Sequence, residues 1–165
     1  MHPEELEQHF EKQISDNDSM ILKVCRMYAF TAADREDLYQ EIVLQLWKSF
    51  PNFRGESQFS TWLYRIAINT AITGLQKKSR QIPTDYIEEI QNAEFTGSVG
   101  QENELWQQLH LAIEKLNDIE KAIVMLYLED FSYDQMETIL GINEGNLRVK
   151  MNRIKLKLIK LTNHS

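Results

Sequence analysis

A single cysteine, Cys25, in 165 residues excludes an internal disulfide and any multi-cysteine zinc site. No apolar run approaches the roughly 20 residues needed to span a bilayer. The start, Met1-His2-Pro3-Glu4-Glu5, is acidic and lacks the basic-then-apolar layout of a secretory signal. There is no glycine-rich phosphate loop. The four histidines, His2, His9, His110 and His164, share no metal-ligand spacing with another candidate ligand. Carboxylates are plentiful, but they read as surface charge on helices, and nothing selects an acid–base pair. Cys25 sits in an apolar helical stretch, the setting of a buried, inert thiol. Enzyme readings therefore come last, no cofactor or metal is implied, and a soluble cytoplasmic protein is the expectation.

What the chain does have is enough apolar residues, 42%, to bury a core, and an uneven charge. The net charge is −7. Residues 1–80 carry 10 bases and 11 acids; residues 81–104 carry six acids and no base. Residues 105–144 carry two bases and eight acids, whereas residues 145–165 carry six bases and no acid. Such a basic stripe can meet a phosphate backbone locally despite the acidic total. The plainer reading is a solvated helix end whose cations favour its own dipole.

Apolar spacing predicts helices nearly throughout, an all-α chain. Leu6, Phe10 and Ile14 share a helical face, and Asp16-Asn17-Asp18 breaks it. Ile21, Leu22, Val24, Cys25 and Tyr28 form a second stretch. Thr31 or Asp34 can cap a third helix, where Leu38, Ile42, Leu46 and Tyr39, Val43, Trp47 make a wide apolar face. Pro51 ends it. Ser57 is the expected N-cap of a long helix to about residue 79, with Phe59, Trp62, Leu63, Ile66, Ala67 and Thr70 inward. From 81 to 104 the periodicity fades around Pro83 and six acids, apart from a short helix expected near Tyr86–Ile90. We read this as an acidic, flexible linker between two small helical domains, 1–80 and 105–165.

In the second domain Leu105, Leu109, Ile113 and Leu116 mark one helix. Asp118 is the expected cap of the next, with Ile119, Ala122, Ile123, Leu126 and Tyr127 inward. Ser132 and Gln135 fit a capping box. Gly141-Ile142-Asn143 is a tight turn, Asn143 can cap a last, basic helix, and Leu147, Met151, Ile154, Leu158 and Leu161 line it. A short helix, a glycine turn and a basic helix in that order form a helix-turn-helix pattern. Opposite the core stripe lie Arg148, Lys150, Asn152, Arg153, Lys155 and Lys157. Arginine pairs both acceptors of guanine and asparagine suits adenine, so Arg148 and Asn152 are base-reading candidates. Lys150, Arg153 and Lys155 are phosphate candidates, which position without reading sequence. In the first domain, Phe53, Tyr64 and Asn69 are expected as exposed groups able to hold unstacked bases, while Trp47 and Trp62 fall on inward faces.

Two runs carry a family resemblance. Asp34 to Trp47 (DREDLYQEIVLQLW) and Phe53 to Asn69 (FRGESQFSTWLYRIAIN) resemble the region-2 domain of extracytoplasmic-function sigma factors. Leu116 to Lys157 resembles their region-4 domain. The resemblance implies a bacterial initiation subunit that binds core RNA polymerase, directs it to promoter DNA, and is often held by an anti-sigma factor. It implies that Asp37, Leu38, Tyr39, Gln40 and Glu41 dock on polymerase. Phe53, Tyr64 and Asn69 would open and read the −10 element; Arg148, Lys150, Asn152 and Arg153 would lie in the major groove of the −35 element. The linker would thread toward the polymerase cleft. Gln45, Asn146 and Val149 depart from the residues common in the family. Two rivals remain at this point: a stand-alone helix-turn-helix regulator, and a helical interaction protein without a DNA role.

Overall fold

Side-chain caps at Thr31, Asn117, Ser132 and Asn143 set where four of the helices begin. The computed structural model describes residues 2–81 and 104–163. Every regular element among them is helical, as the all-α expectation holds. The chain divides into two compact units, Met1–Ala93 and Glu94–Ser165. The expected linker, and the short helix near Tyr86–Ile90 within it, lie outside the described residues.

In the first unit, α1 (Pro3–Asp16) opens on a proline, whose missing N–H costs nothing there. Its Phe10 and Ile14 are buried. Asn17 closes it, donating from its side chain to the Gln13 carbonyl at 2.8 Å. α2 (Asp18–Tyr28) buries Ile21, Val24, Cys25 and Tyr28. α3 (Ala32–Ser49) starts at Thr31, whose hydroxyl oxygen accepts from the Asp34 N–H at 3.1 Å. Its buried stripe is narrower than expected: Ile42 and Leu46 are fully buried, but Trp47 keeps 37% of its surface. A single 3₁₀ turn, Phe50–Asn52, follows at Pro51.

α4 (Phe59–Gln81) begins two residues after Ser57; the Trp62 N–H donates to the Gln58 carbonyl, so Gln58 occupies the cap position. It packs on both α2 and α3. That contact turns its face from the one read in the sequence. Leu63, Tyr64, Ala67, Ile68 and Ala71 are buried, whereas Phe59, Trp62, Ile66 and Thr70 are only half-buried. Ala67 and Ala71 are small enough to let the helix backbones approach.

In the second unit, α5 (Glu104–Glu114) leads through buried Leu116 to α6 (Asp118–Leu128). The cap of α6 is Asn117, not Asp118. Asn117 accepts from the Glu120 N–H at 2.8 Å, and the Glu120 carboxylate accepts from the Asn117 N–H at 3.0 Å. Residues 121–126 of α6 are all buried, so the helix is wrapped on every side. Ile119 and Tyr127, expected inward, lie beyond that wrapped stretch and are 38% and 40% exposed.

α7 (Tyr133–Leu140) carries the expected box: Ser132 accepts from Gln135 N–H at 3.2 Å, and Gln135 accepts from Ser132 N–H at 2.9 Å. Gly141 ends it at φ 72°, in the left-handed region. Asn143 caps α8 (Glu144–Asn163), accepting from the Asn146 N–H at 2.8 Å. α8 packs on α5, α6 and α7 through buried Leu147, Met151 and Ile154.

The Gly141 turn yields a stability prediction. A Cβ there meets nothing within 4 Å, so a substitution is penalised through the backbone alone. Gly141→Ala is expected to cost about 1 kcal/mol, lowering the melting point of this unit by roughly 4–8 °C. Gly141→Asn, which tolerates the left-handed region, costs less. Thermal denaturation followed by circular dichroism checks both; an Ala variant that melts with the parent contradicts the assignment of strain to this turn.

Candidate nucleic-acid interface

With Leu147, Met151 and Ile154 buried, the residues between them on α8 must face out. Arg148, Lys150, Asn152 and Arg153 are all exposed. Arg148 is held from two sides. Its Nη2 lies 2.6 Å from Glu144 Oε1, one turn earlier. Its guanidinium carbon lies 4.7 Å from the centre of the Tyr133 ring on α7. Two cations further along α8 are drawn toward α6. Lys155 Nζ sits 5.1 Å from the Tyr127 ring centre, and Lys157 Nζ is 3.1 Å from Glu120 Oε1. Outward-facing Tyr127 offers Lys155 a ring face, so Lys155 is a weaker phosphate candidate than its spacing suggests. Lys150, Asn152 and Arg153 remain as the open polar edge, with Arg148 presented beside them.

The second surface lies where α3 hands over to α4. Phe53 is half-buried, its ring centre 4.9 Å from that of Trp62 and 5.8 Å from that of Phe59. Phe59 and Trp62 are 5.3 Å apart, closing a three-ring cluster. Behind it Phe50 lies 6.2 Å from Trp62, and Phe10 lies 5.2 Å from Phe50 and 5.0 Å from Trp47. Gly55, at φ 72°, turns the loop that carries Phe53. Asn69 is exposed, seven residues beyond Trp62 on the same side of α4, about 10 Å along the helix. Tyr64 corrects the sequence reading. It is fully buried, on the side of α4 that packs into the unit, so it forms no part of the exposed surface. Phe59 and Trp62 are the residues that reading missed. Their i, i+3 spacing beside Phe53 is the signal that points to them.

On α3, Asp37, Gln40 and Glu41 are exposed and Leu38 and Tyr39 half-buried. Glu41 accepts from the Gln45 side-chain amide at 2.9 Å. Leu44, 44% exposed, and Trp47 continue the same face at i+4 and i+7 from Gln40, making a mixed polar and apolar strip. Tyr39 is tied inward: its hydroxyl donates to the Asp18 carboxylate at the start of α2. Burial, and then that hydrogen bond to a carboxylate, push its pKa up to about 12. Cys25 is pushed up to about 11 by burial, with Arg35 opposing, so its thiol is inert at neutral pH. Burial lowers the pKa of Lys121, against the pull of Asp118 and Glu114.

Comparison with known proteins gives these surfaces a context. Residues 14–81 match sigma-70 region 2, and residues 106–158 match sigma-70 region 4. The chain is 32% identical over 136 residues to the ECF RNA polymerase sigma-E factor of Escherichia coli, covering 75% of this chain and 71% of that protein. It is 28% identical over 147 residues to the RNA polymerase sigma-H factor of Pseudomonas aeruginosa, covering 82% and 76%. The fold resembles the sigma factor RpoE of Bartonella quintana, solved with the anti-sigma factor NepR: TM-score 0.73, 17% identity, 94% of this chain and 98% of that one. It also resembles CnrH, solved with the cytosolic domain of CnrY: TM-score 0.67, 16% identity, 96% and 90%.

Tyr39 gives a pH-dependent outcome. Its folded pKa lies above the ordinary value of 10.0, so its contribution is complete below about pH 10 and is lost as pH rises through about 12. Tyr39→Phe is expected to lower stability at pH 8 by about 1.5–3 kcal/mol, the worth of a hydrogen bond to a charged group. The difference from the parent closes as pH approaches 12. Urea unfolding at a series of pH values measures it; a difference that stays constant to pH 12 contradicts the coupling to Asp18.

Proposed function

This chain belongs to the sigma-70 family, in its extracytoplasmic-function group of transcription initiation factors, and from that premise we propose how its residues divide the work. A sigma factor is a binding protein rather than an enzyme: it binds core RNA polymerase and directs it to promoters. The observation that carries the residue assignment is the exposed set Arg148, Lys150, Asn152 and Arg153 on a capped helix behind the Gly141 turn. This set enters the major groove of the −35 element. Arg148 and Asn152 face base edges there, and Lys150 and Arg153 face phosphates.

Phe53, with Phe59 and Trp62, offers ring faces to unpaired bases of the −10 element, and Asn69 supplies an amide two turns away. Stacking of this kind is worth about 1–3 kcal/mol per base, enough to favour melted over paired DNA locally. Asp37, Leu38, Gln40 and Glu41 meet the polymerase, with Leu44 extending the strip and Tyr39 holding α3 against α2. The net charge of −7 opposes DNA, so the free chain binds promoters weakly and depends on polymerase. It works where polymerase works, in the cytoplasm; among the described residues no helix is long and apolar enough to cross a membrane. An anti-sigma factor is a further partner. The likeness to the sigma factor RpoE, solved with the anti-sigma factor NepR, supports this, as do Leu44 and Leu156, 44% and 68% exposed.

Reconstitution with core polymerase, then run-off transcription from a genomic fragment library, tests the whole reading. The parent chain is expected to co-migrate with core enzyme and to direct discrete transcripts. Arg148→Ala with Arg153→Ala keeps the polymerase contact and loses at least tenfold in transcripts, the equivalent of about 1.4 kcal/mol in binding. Asp37→Ala with Gln40→Ala weakens the polymerase contact instead. A chain that binds specific duplex DNA alone and never polymerase identifies a stand-alone regulator.

A further inference from the structure

Arg148 differs from the other exposed cations of α8 in being gripped by two groups from two helices. The ring of Tyr133 comes from the first position of α7, and the carboxylate of Glu144 from the first position of α8. The ion pair adds little stability, because its side chains are 60% and 42% exposed. The joint effect of the two contacts is geometric. A ring face fixes the plane of a guanidinium, and a carboxylate on one nitrogen fixes its rotation within that plane. A free arginine on a helix facing DNA follows phosphates, which lie on both sides of the groove. An arginine already paired with a carboxylate is disfavoured at a phosphate by repulsion between the two anions. It keeps its remaining donors for the two acceptors of guanine.

We infer that Tyr133 and Glu144 are positioning residues that make Arg148 a guanine reader rather than a phosphate clamp. This rests on the placement of α8 in the major groove argued above. The chain is thereby assigned a base preference at one position of the upstream element. That preference is set jointly by three residues, two of which need touch no base. The carboxylate precedes the arginine by four residues, the order that favours an intrahelical pair, so the grip is present before DNA arrives.

The test uses holoenzyme assembled from the full chain and core polymerase, on promoter fragments randomised across the upstream element, with transcripts counted by sequencing. The parent is expected to prefer guanine at one position by roughly 5- to 150-fold, the range of a good bidentate contact. Arg148→Ala abolishes that preference. Glu144→Ala and Tyr133→Leu each reduce it about three- to tenfold at the same position, with preferences elsewhere unchanged. Tyr133→Leu fills space without a ring face, separating stacking from packing, and a thermal melt confirms folding. Tyr133→Phe keeps the ring and retains the preference. Glu144→Ala also frees Arg148 for a phosphate, so the slope of log affinity against log salt steepens by about 0.9. If Arg148→Ala removes the preference while Glu144→Ala and Tyr133→Leu leave it intact, the positioning role is overturned and Arg148 stands as an unaided reader. If Arg148→Ala changes no base preference, the groove placement fails, and this inference with it.

Discussion

Burial of Leu147, Met151 and Ile154 sets the rotation of α8 about its own axis, and everything the basic helix presents follows from that rotation. The three side chains repeat at four- and three-residue steps, so they occupy one stripe. Arg148, Lys150, Asn152 and Arg153 occupy what is left. Rotating the helix enough to hide these polar groups would expose Leu147 and Ile154, each fully buried, at about 1.5–3 kcal/mol apiece. Rearranging surface charges costs a fraction of that. The core therefore dictates the recognition surface, and the Gly141 turn with the Asn143 cap sets where the helix starts. A base-reading helix needs this, because a rotation of one residue changes which side chains meet which base.

The first unit solves a different problem with the same economy of parts. The surface proposed for unpaired bases has to offer aromatic faces to solvent without letting them collapse inward. Phe53, Phe59 and Trp62 lean on one another, and Trp62 leans in turn on Phe50 and, through it, on Phe10. Edge and tilted ring contacts each add about 0.5–1.5 kcal/mol beyond simple burial, so the cluster is anchored from behind while its front stays half-open.

Most of what could be read directly from the residues is local. Ser132 with Gln135 and Asn143 cap where their side chains predict, and of the two candidates Thr31 and Asp34 it is Thr31 that caps, because a cap is a hydrogen bond spanning three residues. Asn117 and Asp118 are adjacent residues of equal capping aptitude, and only the observed backbone decides between them. The faces of long helices were less legible. α4 packs on two partners at once, so tertiary contact rather than spacing settles whether Trp62 or Tyr64 goes inside. The Tyr133–Arg148 contact joins residues on two helices across a turn, and nothing in either segment alone foretells it. The family resemblance named candidate surfaces, while the fold buried Tyr64 and left Phe53, Phe59 and Trp62 half-buried.

Charge explains why these two surfaces need a third party. Residues 145–165 carry six bases and no acid, but the whole chain carries −7. At physiological ionic strength fields are screened over about 8 Å, so the basic edge of α8 acts on phosphates it touches and hardly on those further off. Long-range attraction to DNA is correspondingly poor, and close contact is favourable only once something else has brought the helix to the groove. Lys155 and Lys157, turned toward Tyr127 and Glu120, reduce the number of phosphates that α8 can neutralise. Pairing Arg148 with Glu144 reduces it further. On the proposed placement of α8, each step trades indiscriminate affinity for selectivity, a trade that a polymerase-borne factor tolerates because the polymerase supplies the grip on DNA.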